Sequence, residues 1–97
     1  SILGRVRRED AVVALCIDGQ AQTSEQLADT VSRLRMDGRR IVFIIGGSLG
    51  LSPEVVVRAD IRLSLSSMTM PHQLARVVLL EQIYRAFKII SGERYHK

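Results

Sequence analysis

The stretch Ile41-Val42-Phe43-Ile44-Ile45-Gly46-Gly47-Ser48-Leu49-Gly50-Leu51-Ser52-Pro53 decides the fold. Five consecutive apolar residues, four of them β-branched, suit a buried strand of ordinary length over 41–45 and are too few for a helix. The run empties into a glycine cluster. Ser52-Pro53 then has the form of an N-cap followed by proline at the first helical position, which predicts a short helix over 53–59. A strand, a glycine turn and a helix start, in that order, are the marks of an α/β protein that binds ligands at the carboxyl ends of its strands.

The flanking sequence repeats this grammar. Upstream, Ala11-Val12-Val13-Ala14-Leu15-Cys16-Ile17 is apolar throughout and meets the turn pair Asp18-Gly19, predicting a second strand buried on both faces. Thr23-Ser24-Glu25-Gln26 fits a capping box, with Leu27, Val31 and Leu34 following at helical spacing and Gly38 as a stop. The spacing predicts an amphipathic helix over 24–37. Downstream, Ile61, Leu63 and Leu65 alternate with Arg62, Ser64 and Ser66, as in a half-buried strand. A last helix starts at Pro71 and runs to about residue 91, before Gly92. Three strand–helix units predict a parallel α/β sheet, built as one domain over residues 1–97. Residues 1–10, carrying Arg5, Arg7 and Arg8, suit either a frayed helix end or a connecting segment.

The last helix is apolar on more than one face: Leu74, Val77, Val78, Leu79, Leu80, Ile83, Phe87, Ile89 and Ile90 spread around most of its circumference. Such a helix must be covered on more than one side. A second copy of the same helix across a two-fold axis is the simplest cover, so a homodimer through residues 71–90 is expected, the alternative being the central helix of a larger monomer of which this chain is a piece.

Composition bounds the function. The 97 residues are 46% hydrophobic and 25% charged, the balance of a globular protein. No apolar run approaches the roughly 20 residues of a membrane span, and no signal-peptide pattern opens the sequence, so a cytosolic protein without a membrane partner is expected. A single cysteine, Cys16, excludes an intrachain disulfide framework, and two separated histidines give no metal signature. Net charge is +4, and twelve of the fourteen basic residues are arginine, the side chain suited to bidentate phosphate contact. An anionic partner such as RNA or a nucleotide fits that charge. Aromatic residues are only 4%, too few for a base-stacking platform.

Two segments carry candidate chemistry. The turn Gly46-Gly47-Ser48-Leu49-Gly50 allows a close backbone approach to a ligand, yet it has neither dinucleotide-fingerprint nor P-loop spacing and equally suits a tight strand-to-helix turn. In Leu65-Ser66-Ser67-Met68-Thr69-Met70-Pro71-His72, hydroxyls and a helix N-terminus can hold polar groups while Leu65, Met68 and Met70 supply apolar walls. The same letters also describe a serine-rich loop with core methionines. His72 in a first helical turn is more often a surface or capping residue than a catalytic one, and Cys16 within an apolar strand is ordinarily inert.

Taken together, Ile44–Leu51, Leu65–Gln73, Arg76-Val77, Glu81–Ala86 and the terminal Tyr95-His96-Lys97 resemble the RlmH family of SPOUT-class RNA methyltransferases across essentially all of the sequence. The resemblance implies a SPOUT-type parallel sheet with a C-terminal trefoil knot, a homodimer, and S-adenosyl-L-methionine as methyl donor. It implies methylation of N3 of a pseudouridine in large-subunit ribosomal RNA, with the ribosome as partner. Donor-contacting positions carried over from the family are Leu15, Gly46, Gly47, Leu65, Ser66, Ser67, Met68, Thr69 and Met70. Family members also carry an upstream strand–helix–strand portion, so an N-terminally shortened chain is expected.

An imide N–H is a weak acid, so methyl transfer to it needs a proton acceptor or a site that stabilises the anion. The candidates are His72, Arg76, Tyr95 and His96. The alternative is a non-catalytic basic α/β module that binds RNA or nucleotides, or that dimerises; donor binding separates the two.

Overall fold

The computed structural model of the protein describes residues 2–46 and 50–94. A short 3-10 turn (Ile2–Arg5) precedes the first strand, β1 (Ala11–Ala21). Then come α1 (Ser24–Met36), β2 (Ile41–Ile44), α2 (Pro53–Arg58), β3 (Ile61–Ser64) and α3 (His72–Ile90). The three strands form one parallel sheet in the order β2-β1-β3.

Local chemistry sets the helix starts. The Thr23 hydroxyl accepts from the Gln26 N–H at 3.1 Å, and Gln26 Oε1 accepts from the Thr23 N–H at 2.8 Å, so two otherwise orphaned donors are satisfied reciprocally. Ser52 caps α2 by accepting from the Val55 N–H, with Pro53 at the first helical position. α3 differs: Pro71 is its N-cap, and no side chain among the described residues caps it.

β1 is the central strand, and its alternating residues serve two cores. Val12 and Ala14 pack with Ile44 of β2 and with Val55 and Ala59 from the α2 side. Val13 packs on the opposite face with Leu27 and Val31 of α1 and Leu63 of β3. α1 and α2 therefore cover opposite faces of the sheet, α1 joining β1 to β2 and α2 carrying the chain from β2 past β1 to β3. The crevice at the carboxyl ends of β1 and β3 is the topological switch point of this sheet, where α/β proteins bind ligands.

Three expectations are corrected. β1 does not stop at Asp18-Gly19: both Leu15 and Gln20 stand opposite Leu63, so residues 16–19 bow out and pairing resumes. Glycine at 19 permits this, since a Cβ there would lie 2.8 Å from the Arg62 carbonyl oxygen. β2 is an edge strand in which Ile44 alone is fully buried, because a partner lies on only one side of it. On α3, Leu79 belongs to the interior rather than to an outer face: it and Ala86, seven residues apart, are 3% and 0% exposed. Gln82 Oε1 of α3 accepts from the Ser24 hydroxyl of α1 at 2.6 Å, and Arg35 of α1 stacks over the Phe87 ring.

At the amino end of the sheet, Asp10 is 1% exposed and binds the Arg40 guanidinium through both oxygens, at 3.1 and 2.6 Å. That bidentate hydrogen bond, helped by the Arg7 N–H and opposed by burial, holds the Asp10 carboxyl below its usual range. For Asp60, burial pushes upward, but the Val12 N–H and the Arg58 and Arg39 guanidinium groups outweigh it and lower the carboxyl too.

Candidate functional site

At the switch point lies a cavity of about 670 Å³, within the range of small-molecule and cofactor sites. Three separated segments meet in it. β1 and its bowed continuation contribute Leu15, Cys16, Ile17 and Asp18; the turn after β2 contributes Ile45, Gly46, Gly50 and Leu51; the loop after β3 contributes Leu65, Ser66, Met68, Thr69 and Met70. Pro71, His72 and Ala75 close the cavity from the start of α3, with Val56 and Leu63 behind.

Of the positions expected to touch a methyl donor, Leu15, Gly46, Leu65, Ser66, Met68, Thr69 and Met70 line this one cavity. Ser67 is exposed in the same loop but is not part of the wall. Gly47 lies outside the described residues, as do Tyr95 and His96 of the proposed acid–base set. Arg76 stands one turn beyond His72 on α3, exposed and outside the wall.

Backbone packing explains the glycine. A Cβ on Gly46 would lie 2.7 Å from the Gly50 carbonyl carbon and 2.9 Å from the Leu51 nitrogen, so the turn folds onto itself only with hydrogen at that position. The third segment is fixed by its own serines. The Ser64 hydroxyl donates to the Ser66 carbonyl at 3.0 Å, and the Ser66 hydroxyl accepts from the Met68 N–H at 3.0 Å.

His72 joins two of the segments. Its Nδ1 lies 2.7 Å from the Gly46 carbonyl oxygen. A carbonyl only accepts, so Nδ1 carries the hydrogen, and in the neutral ring Nε2 is left as an acceptor. The contact ties the uncapped start of α3 to the glycine turn. Sequence reasoning identified the residue but could not see its partner, 26 positions away.

Asp18, which the sequence places in a turn pair with Gly19, is the one carboxylate of the wall among the described residues. No periodicity marks it, because the bow in β1 turns it toward the cavity. Cys16 also lines the wall, where burial and the nearby Asp18 charge push its thiol above the usual range. It is thus kept as the neutral thiol, a poor nucleophile.

The mostly apolar wall with one carboxylate among the described residues suits a ligand with an apolar portion and a cationic portion. The fold and this cavity define an α/β protein with a cavity at the switch point of a parallel sheet. Residues 1–96 match the family model described as "Predicted SPOUT methyltransferase". The chain belongs to this SPOUT methyltransferase family. It is 58% identical over 97 residues to a protein of Clostridioides difficile (strain 630) named "Ribosomal RNA large subunit methyltransferase H". Proteins of the same name from Bacillus pumilus (strain SAFR-032) and Clostridium botulinum (strain Okra / Type B1) are 54% and 53% identical. Each alignment covers 99% of this chain and 61% of the relative, so the chain spans about three-fifths of the length of these relatives.

Proposed function

We propose that the protein methylates N3 of a pseudouridine in large-subunit ribosomal RNA, using S-adenosyl-L-methionine bound in the switch-point cavity. One observation carries this reading: Leu15, Gly46 and the loop from Leu65 to Met70, distant in sequence, converge on a single cavity of about 670 Å³. The relatives' name supports the substrate, and the arginine-rich composition supports an RNA partner. A cytoplasmic protein follows from a ribosomal substrate.

S-adenosyl-L-methionine supplies, when bound, an electrophilic methyl group on a sulfonium. Leu15, Leu65 and Met70 would wall off water around the apolar part of the donor, with Ser66, Ser67, Met68 and Thr69 on the same loop as Leu65 and Met70, and Gly47 next to Gly46 in the sequence. Gly46 would allow it a close backbone approach, and the Asp18 carboxylate of the wall would attract its cationic part. N3 of the base would give up its proton and form the N–CH3 bond as the S–CH3 bond breaks, leaving the neutral thioether S-adenosyl-L-homocysteine. His72 Nε2, Tyr95 and His96 are the candidate acceptors of that proton, and the Arg76 guanidinium stabilises the developing anion.

The same reading includes the trefoil knot, with the chain after β3 passing through the loop that follows β2. The hydrogen bond from His72 to Gly46 brings the start of α3 against the turn after β2, the proximity that such a knot requires. It also includes a homodimer through α3. Leu74, Val77, Leu80 and Tyr84 are exposed at steps of three or four, an apolar stripe turned away from the buried Leu79 and Ala86.

Calorimetric titration with S-adenosyl-L-homocysteine tests the function. Saturable one-to-one binding is expected. RNA binding without any donor-product binding would leave a basic α/β module and exclude the methyltransferase.

A further inference from the structure

We infer that Arg5, Arg7 and Arg8 form a rigid phosphate-anchoring surface for RNA at the amino end of the sheet, the pole opposite the cavity. The inference rests on the proposed RNA substrate and adds where that RNA is gripped. Six arginines meet at this pole: Arg5, Arg7 and Arg8 from the segment before β1, Arg39 and Arg40 from the approach to β2, and Arg58 from the end of α2.

Three of the six hold the fold together. Arg40 takes Asp10, while Arg39 and Arg58 share Asp60 at 3.3 and 3.1 Å. The same three guanidinium groups donate to the backbone of the preceding segment. Arg58 reaches the carbonyls of Arg7, Arg8 and Asp10 at 2.9–3.4 Å; Arg39 reaches those of Glu9 and Asp10; Arg40 reaches that of Arg5. A turn closed by the Asp10 N–H on the Arg7 carbonyl, and by the Arg7 N–H on the Asp10 carboxylate at 2.7 Å, completes the clamp.

The outcome is asymmetric. Asp10 and Asp60 are consumed by the clamp. The side chains of Arg5, Arg7 and Arg8 are exposed and make no hydrogen bond or ion pair among the described residues. Three guanidinium groups are thus carried on a backbone fixed at five carbonyls, so little further ordering of the main chain opposes binding. Arginine rather than lysine at all three positions favours bidentate contact with phosphate oxygens. From Asp10 to Leu15 the strand climbs about 17 Å at its usual rise, so phosphates held here lie away from the reacting base. The surface supplies affinity and register, not chemistry.

The test compares the intact protein with R5A/R7A/R8A and R5K/R7K/R8K, titrated into a synthetic hairpin of large-subunit ribosomal RNA over about 50–200 mM salt. Calorimetry with S-adenosyl-L-homocysteine and thermal melting run on the same samples. The alanine variant is expected to keep its melting temperature and donor-product affinity, to lose at least about tenfold in RNA affinity at low salt, and to show a salt slope shallower by about 2–3. The lysine variant keeps most of the slope. An alanine variant with the parental slope overturns the inference and leaves the methyltransferase reading standing. So does a loss confined to phosphatidylserine vesicles with RNA binding untouched, which would make the pole a membrane surface. A parent protein that binds RNA with this arginine-dependent slope but binds no donor product sinks the proposed methyl transfer and leaves the anchoring surface intact.

Discussion

Gly46 is where backbone geometry and ligand chemistry meet. Because a Cβ there would press on the Gly50 backbone at 2.7 Å, Gly46→Val opens the turn and fills the space beside the cavity. S-adenosyl-L-homocysteine affinity should fall at least tenfold, about 1.4 kcal/mol, with the circular dichroism spectrum retained. Unchanged affinity would move the ligand site away from this turn. Asp10 makes a different prediction. Its folded-state carboxyl is lowered, so the stability it contributes is present above the ordinary carboxylate value of about 3.9 and is lost as pH falls through the lower folded value. Melting temperature should hold steady from neutral pH to about pH 5 and drop below about pH 4. Asp10→Asn should melt lower at neutral pH and show a shallower acid decline. An acid decline of parental steepness in that variant would assign the acid sensitivity to other carboxylates.

Elements formed by local rules follow the sequence closely. The Thr23–Gln26 box starts α1 and Ser52-Pro53 starts α2, because capping depends on residues three apart and on nothing distant. Thr23→Ala should cost about 1 kcal/mol, lowering the melting temperature by roughly 4–8 °C for a chain of this size; no change would mean that α1 owes its start to packing alone. Features set by distant partners were not legible. The bow in β1 exists because Leu15 and Gln20 share Leu63, and the Asp18-Gly19 pair looks the same whether it ends a strand or bends one. The half-exposure of β2 depends on its place at the sheet edge, which an apolar run does not encode. The three cavity segments could each be picked out along the chain. Their convergence, the contribution of Asp18 and the His72–Gly46 contact are facts of three-dimensional closure. The arginine clamp was equally hidden, since composition counts charges without showing which are spent on the fold.

Across the whole molecule, the apolar stripe of α3 and the cavity are linked through one helix. His72 at its start touches the glycine turn, and Val77 and Leu80, 61% and 54% exposed, lie one to two turns further along. Leu79 is unsuitable for probing the dimer, because its change would disrupt the core. Val77→Glu with Leu80→Arg places charges on the stripe while sparing Leu79 and Ala86. The parent should sediment as a dimer and this variant as a folded monomer, because burying unpaired charges at the interface is unfavourable. A variant that remains dimeric would take α3 out of the interface.

The central claim is that the switch-point cavity transfers a methyl group to ribosomal RNA. The most direct measurement follows label from methyl-tritiated S-adenosyl-L-methionine into ribosomes lacking the modification, with the labelled nucleoside identified by mass spectrometry. The account predicts label on N3 of a pseudouridine in the large-subunit RNA, and none when Gly46→Val replaces the parent protein. Donor binding without label in the RNA, or equal labelling by the Gly46→Val variant, would contradict it.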